Sequence, residues 1–326
     1  MKVRLLLAFV AALGLAALAL AAPASEPPAK LTADQAPPEQ WPAMAEAGDP
    51  LAQALLARAY LYGTDGKIRN RETAATWARR SAAHQHPLGL LLRGCCRYYD
   101  LTRPEAKREE EAKPLFEQAH AAGFEEQSGQ GGRQWLSLLG DAHEYGFGMP
   151  KNSEEAVKWW RKAADLGDAS AMVSLGFAYQ AGTGVPTDEE AALQWYRKAA
   201  ALGEAAAMAH IGDCYLEAAG VAKDAEAAVE WLRKAAALGE VAAILRIGYC
   251  YLWGEGVTKD EAEGVKWLLK AVAASDTDAM LRLGDCYKDG RGIQADKEEA
   301  AKWYRKAAAL GDEEAEVHLK RLEGAE

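Results

Sequence analysis

The chain has 326 residues, half of them hydrophobic, with 48 acidic against 38 basic side chains and a formal net charge of −10. A surface of that sign repels phosphate backbones and anionic lipid, which argues against nucleic acid or a membrane surface as a general partner. Lys2 and Arg4 precede an apolar stretch from Leu5 to Leu20, and Ala19-Leu20-Ala21 and Ala22-Pro23-Ala24 both satisfy the small-x-small cleavage rule. Residues 1–21 therefore read as a signal peptide. No Cys follows either site, so a lipoprotein anchor is not indicated. The stretch lies near the lower limit of about 17 to 25 residues for a membrane span, which favours cleavage over a retained anchor. Cleavage would take away Lys2 and Arg4 and no acid, moving the charge from −10 to −12. The expected address is the periplasm, with a soluble mature chain and no direct membrane binding after cleavage. Residues 22–42 read as a flexible, proline-rich linker.

Residues 43–134 read as degenerate repeats. Trp77 with Ala78-Arg79-Arg80-Ser81-Ala82 belongs to one copy, whose loop is Gly63-Thr-Asp-Gly66. Leu115-Phe116-Glu-Gln-Ala119 takes the same place in the next, and an insertion of about eight residues, Glu125 to Arg133, follows it. From residue 135 to 312 the order is strict. Trp159, Trp195, Trp231, Trp267 and Trp303 recur every 36 residues without insertion or deletion. Such a period means stacked copies of one small unit.

Within each unit, Asn152, Asp188, Asp224, Asp260 and Asp296 sit where a helix N-cap belongs. Glu155, Glu263 and Glu299 stand three residues later, the spacing of a capping box. The Trp lies inside this second helix, which Leu202-Gly203 or Leu310-Gly311 closes. A run such as Ala171 to Ala181 makes the first helix, broken by Gly182-Thr-Gly184, Gly254-Glu-Gly256 or Gly290-Arg-Gly292. The unit is helix A, a Gly-x-Gly loop, helix B and a turn. Residues 313–326, with Lys320 and Arg321, read as a capping helix.

Leu175-Gly176-Phe-Ala-Tyr179, Gly182-Thr-Gly184-Val185 and Trp195-Tyr196-Arg197-Lys198-Ala199-Ala200-Ala-Leu202-Gly203 resemble the Sel-one-like repeat family, the 36-residue relatives of tetratricopeptide repeats. The resemblance spans residues 48 to 322. It implies an all-α fold, a right-handed α/α solenoid of about seven helix-loop-helix repeats, acting as an adaptor or scaffold with no active site. Ala218 replaces one loop glycine, Ala274-Ser275 replaces one Leu-Gly, and Leu269 stands in for Arg. Cysteine-rich members have been linked to β-lactam binding or hydrolysis, with a cysteine pair in each copy. This chain has at most one per regular copy and no Ser-x-x-Lys.

Five cysteines is an odd number for an exported chain. Cys214, Cys250 and Cys286 share one register of helix A with Cys96, and packed helices sit too far apart for neighbours to bridge. Their expected role is that of a small buried residue. Cys95-Cys96 leaves a vicinal disulfide open. His84-x-His86 lacks a further ligand at zinc-like spacing, and the remaining histidines form no His-Glu-x-x-His motif. No catalytic, metal or cofactor site is expected.

The tryptophans Trp77, Trp159, Trp195, Trp231, Trp267 and Trp303 are read as structural core. Binding is sought where the copies differ: Phe177; His210, Asp213 and Glu217; Arg246, Tyr249 and Trp253; Arg282, Asp285 and Asp289; and Tyr62, Tyr99 and Tyr145 from earlier copies. The resemblance puts helix A on the inner surface, so these residues would line a concave groove holding a protein partner, an extended segment or a helix. Two alternatives stay open: a periplasmic regulator of a membrane signalling protein, and a β-lactamase-like hydrolase.

Overall fold

The computed structural model describes residues 33, 36–62, 67, 70–98, 105–123, 133–147 and 149–324, and all regular structure among them is α-helical. The signal peptide, most of the linker, the Gly63–Gly66 loop and nearly all of the insertion lie outside the described residues. In chain order the helices are α1 (Trp41–Glu46), α2 (Pro50–Tyr62), α3 (Arg71–Ala83), α4 (Pro87–Tyr98), α5 (Glu105–Ala121), α6 (Arg133–Tyr145), α7 (Ser153–Asp165) and α8 (Ala169–Ala181). They continue as α9 (Glu189–Ala201), α10 (Ala205–Glu217), α11 (Ala225–Ala237), α12 (Val241–Trp253), α13 (Glu261–Ala273), α14 (Thr277–Asp289), α15 (Lys297–Ala309) and α16 (Glu313–Glu323). From α2 onward they alternate as helix A and helix B, each A packed on its own B; α3 packs on α4, and from α7 on each helix B packs on the next helix A, ending with α16 on α15.

Each helix B of the regular repeats starts on an Asn or Asp. Asn152, Asp188, Asp224, Asp260 and Asp296 accept from the backbone N–H three residues on. The capping box expected at Glu155, Glu263 and Glu299 does not close. The cap's own N–H already donates to the preceding helix A, as Asn152 does to the carbonyl of His143 at 2.8 Å and Asp260 to that of Tyr251 at 2.9 Å. The glutamates turn instead to Lys158, Lys266 and Lys302, at 2.7–2.8 Å.

The tryptophans also differ from expectation. They are half-buried, and the residue after each is the buried one: Trp160, Tyr196, Leu232, Leu268 and Tyr304 are at most 5% exposed. A lysine three residues on lies over every ring, from 3.7 Å for Lys162 on Trp159 to 4.3 Å for Lys234 on Trp231. That i,i+3 ammonium keeps its hydration, so the ring's outer face stays near water. The inner side closes a joint. Trp231 packs against the cluster of the preceding units, whereas Leu232 belongs to the next, and Trp267 and Leu268 divide in the same way. Trp77 is half-buried too, with Arg80 over its ring at 4.6 Å. A second joint runs from Arg161, Arg197 and Arg233 of helix B to Tyr179, Tyr215 and Tyr251 of the following helix A, at 2.7–3.3 Å. Leu269 interrupts this series and is 43% exposed.

At the N-terminus, the last part of the expected linker is packed. Trp41 is 2% exposed, and its indole N–H donates to the carbonyls of Ala33 and Ala36 at 3.0 and 3.1 Å. Burying so large an apolar ring outweighs the flexibility its proline neighbours suggest. No cysteine is joined to another; Cys214, Cys250 and Cys286 are buried. In α4 it is Cys95 that is fully buried and Cys96 that is only partly buried, beside Arg71 and Arg93, because α2, α3 and α5 enclose α4 from other sides.

The loop glycines are under two different constraints. Gly256 has φ +71 and rests on the backbone of Ala225 at the start of α11, where a Cβ would collide with the carbonyl. Gly203 has φ +86 but open space around it. Gly256→Ala should therefore cost about 2–4 kcal/mol, combining left-handed strain with overpacking, whereas Gly203→Ala should cost about 1–2 kcal/mol. Urea unfolding of the two variants measures the difference.

Candidate functional site

Two registers of helix A meet across neighbouring units. The residue after the helix-A glycine in one unit contacts the residue two before that glycine in the next, always 33 positions later. The repeat supplies 36 residues and the contact steps back one turn. Phe177 meets His210 edge-on at 5.6 Å. Asp213 accepts from Arg246 Nε at 2.7 Å, and Glu217 accepts from the same guanidinium at 2.9 Å. Arg282 lies beside Tyr249 and pulls its hydroxyl's pKa down against the push of burial, and Asp285 meets His318 Nδ1 at 3.1 Å. The predicted residues are thus brought into one seam along the helix-A face, and much of their polarity is spent within it.

Arg246 is the clearest revision. The sequence reading makes it a binding hot spot, yet its guanidinium is already shared between Asp213 and Glu217. Asp285 is likewise 8% exposed. Burial pushes its carboxyl up, but the Tyr304 hydrogen bond with Lys288, His318 and Arg282 outweighs that and holds it below the usual range. His210 stacks on Tyr196 at 4.8 Å, and burial lowers its pKa. These three residues stitch units together. Asp289 pairs with Lys288 and Arg291. Tyr99 and the side chain of Tyr62 lie outside the described residues.

What remains open on this face is aromatic. Tyr145, Phe177 and Trp253 are 51, 55 and 55% exposed, and Tyr249 supports Trp253 edge-on at 5.1 Å. Tyr145 and Phe177 line one cleft of about 380 Å³ with Val173 and Ser174. Beside it, Tyr145 also borders a cleft of about 680 Å³ floored by Tyr98, Phe116 and Phe147. The Phe116 and Phe147 rings stack at 4.3 Å.

Sequence reasoning missed the polar centre of the face. Arg58 of α2 reaches Asp168, the cap of α8, with bonds of 2.9 and 3.1 Å, and both side chains are at most 4% exposed. This pair joins helix A of one unit to helix A three units later, so the array curls with its A helices inside. Arg58, Asp141, Ser137, Ser170, Ser174 and Glu204 line a pocket of about 170 Å³ there. Asp141 accepts from the Trp160 indole at 3.0 Å. Burial pushes its carboxyl up to about 6, against the opposing pull of Trp160 and Arg58 and with added push from Asp168 and Glu144. No periodicity marks Arg58 or Ser137, since neither recurs in the other copies.

The chemistry of the thiols and histidines is muted. Burial raises Cys214, Cys250 and Cys286 to about 11 and Cys96 to about 12, far from a reactive thiolate at neutral pH. His86 lies 5.6 Å from the Trp135 ring, and burial lowers its pKa to about 4. Among the described residues, no group of three or more His, Cys, Asp or Glu could hold a metal ion. No described helix is long and apolar enough to cross a membrane.

Stacked helix pairs with a lined inner face define an α/α repeat solenoid of the kind that serves as an interaction scaffold. The profile described as Sel1 repeat matches residues 50–86, 136–168, 169–204, 205–240, 241–276 and 277–312. The chain belongs to the Sel1 repeat family, whose members are generally protein-interaction scaffolds. The α4–α5 unit falls outside the matched segments. A solved Sel1 repeat protein from Oxalobacter formigenes is similar at 33% identity, covering 71% of this chain and 86% of that one, with a TM-score of 0.54. A protective antigen from uropathogenic Escherichia coli with the same fold is similar at 28% identity and a TM-score of 0.53. That match covers 87% of this chain and 59% of the antigen. A search of curated proteins returned no match.

Two outcomes follow from the seam and its centre. Truncating Asp213 and Arg246 singly and together should reveal a coupling of about 1 kcal/mol in a double-mutant cycle, and the pair Asp213 with Arg282 none. Asp141, raised to about 6, is ionised at neutral pH at the expense of folding. The sign for a raised acid is that stability grows as pH falls through about 6. Asp141→Asn should therefore gain about 1–2 kcal/mol at pH 7 and lose that advantage near pH 4, as chemical denaturation at the two pH values will show.

Proposed function

We propose that this protein is an exported scaffold that holds a protein partner, an extended segment or one helix, along its helix-A groove without catalysing a reaction. One observation carries the reading. Tyr145, Phe177 and Trp253 stand half in water on a face where Arg246, Asp285 and Asp213 are already satisfied by their neighbours. Large aromatics kept exposed and rigid are what an interface uses as anchors, because burying them on a partner releases water at little cost in side-chain freedom. The residues that hold the array together cannot serve that purpose.

Export rests on Lys2, Arg4 and the apolar run to Leu20. The absence of cysteine pairing suits either side of a membrane, so the N-terminal segment alone carries the address. Mass spectrometry of the protein recovered from the native host should find a mature terminus near residue 22; a chain beginning at Met1 would remove this part of the reading.

A photo-crosslinking residue placed at Phe177 or at Trp253 should trap the same partner in the native envelope, while one placed at Lys234 on the outer side should not. With that partner purified, Phe177→Ala combined with Trp253→Ala should weaken binding by about 100-fold or more, leaving the thermal midpoint nearly unchanged. Equal affinity for the folded double variant would place binding elsewhere.

A further inference from the structure

The joint between α3 and α4 breaks a rule that the later joints keep. Wherever a regular helix B carries an arginine two residues after its tryptophan, an acceptor stands 18 positions on. Arg161 donates to Tyr179 at 2.7 Å, Arg233 to Tyr251 at 3.0 Å, and Arg305 to Glu323 at 2.6 Å. Arg79 of α3 holds the same place after Trp77, but 18 positions on stands Arg97. A second cation occupies the site of the acceptor. The residue before the helix-A glycine departs as well. It is Leu175, Ile211, Ile247 or Leu283 in the regular units, each 0% exposed, and Arg93 before Gly94.

Helical periodicity gathers these charges. Arg71, Ala75 and Arg79 are four apart on one face of α3, and Arg93, Cys96 and Arg97 share a face of α4. With Glu72 they line one cavity of about 300 Å³. Arg93 and Arg97 form a like-charge i,i+4 pair, which by itself destabilises a helix. The acids at hand do not cancel the excess. Arg97 lies 3.8 Å from Glu111, Arg80 pairs with Glu46 at 3.2 Å, and Arg71 is already engaged. With those set aside, Arg79 bonds only neutral groups of its own helix, the Ala75 carbonyl at 3.2 Å and the Thr76 hydroxyl at 3.3 Å. Arg93 forms no ion pair with a described residue. Glu72 is the one acid among the described residues of the lining, and Cys96 stays a neutral thiol because burial holds its pKa near 12.

Guanidinium groups offer donors and no acceptor, so the complement of this cavity is an anion. Its arginines come from two helices and converge from two sides. A phosphoryl group spreads three strong acceptor oxygens tetrahedrally and can receive forks from both sides, whereas a carboxylate holds its two oxygens in one plane and is matched by one fork. We propose that the cavity binds a phosphoryl group, as the free ion or as the monoester of a small molecule. Arg79, Arg93 and Arg97 are its donors, and the bound anion closes the α3–α4 joint in place of the Arg–Tyr bond. None of Tyr145, Phe177 and Trp253 borders the cavity, so this site goes beyond the groove reading and does not depend on it. Because the anion ties two units together, its binding and the stability of the N-terminal end are linked.

The test uses the full mature chain with orthophosphate, methyl phosphate and succinate at matched ionic strength, read by calorimetry and by the thermal midpoint. Both phosphates should bind and raise the midpoint, and succinate should bind about tenfold more weakly or worse. Either ranking of the two phosphates supports the site, and the ranking says whether the ion or the ester is its ligand. Arg93→Gln should weaken phosphate about tenfold or more without lowering the midpoint of the ligand-free chain. Arg97→Tyr restores the acceptor found at Tyr179, so it should raise the ligand-free midpoint and remove the further rise with phosphate. No binding of either phosphate would overturn the proposal. So would succinate binding as tightly as phosphate, or unchanged phosphate affinity in the two folded variants. Crosslinking at Phe177 and Trp253 is read separately, so failure of one reading leaves the other standing.

Discussion

Everything in this array depends on how closely helix A approaches helix B. The glycine in the middle of helix A has no side chain because the next helix fills that space. A Cβ on Gly176 would strike the ring of Tyr196, one on Gly284 the ring of Tyr304, and one on Gly140 the ring of Trp160. Gly212 makes the same approach to Leu232. This contact sets the distance within a pair, and the alanines of helix B are buried beneath it. Once that distance is constant, the units superpose, and every other recurring contact follows from the repetition.

The tryptophan, its lysine and the Arg–Tyr bonds are consequences of that stack rather than its cause. Trp231 and Trp267 sit where one cluster ends and the next begins, so each closes a joint while its outer face keeps a lysine. The joints differ in quality. Where Leu269 replaces arginine, no Arg–Tyr bond reaches Tyr287, and Ser275 takes φ +63 where the other regular units use glycine. Two departures fall in one unit, between α13 and α14. On the inner side Tyr249 and Arg282 face each other across the same units.

Function gathers where repetition stops. The conserved spacing places one residue of each helix A against the next unit 33 positions on, and the identities at those positions decide whether the unit contributes a structural bond or an open surface. Asp213 with Arg246 gives a bond. Phe177 with His210 gives a ring contact that leaves Phe177 half in water. Asp141 with Ser174 gives a pocket. One register, occupied by different side chains, therefore makes both the cement and the site.

The fold class, the 36-residue unit, the caps at Asn152 to Asp296 and the left-handed glycines were legible in the residues alone, because they rest on local chemistry repeated several times over. The helix-A face was legible as a place to look, since its residues vary while their neighbours recur. Which of them are free was not. Arg246 reads as an available cation until Asp213 and Glu217 are seen around it, and the tryptophans read as core until the following residue proves to be the buried one. The capping glutamates fail for the same reason, since the cap N–H is taken by a carbonyl of another helix. Arg58 and Asp168, 110 positions apart, could not be paired from any period, because their meeting depends on the curvature summed over three units. Local spacing determined the unit; the accumulated small rotation between units decided which side chains share a pocket, and that sum exists only in the folded array.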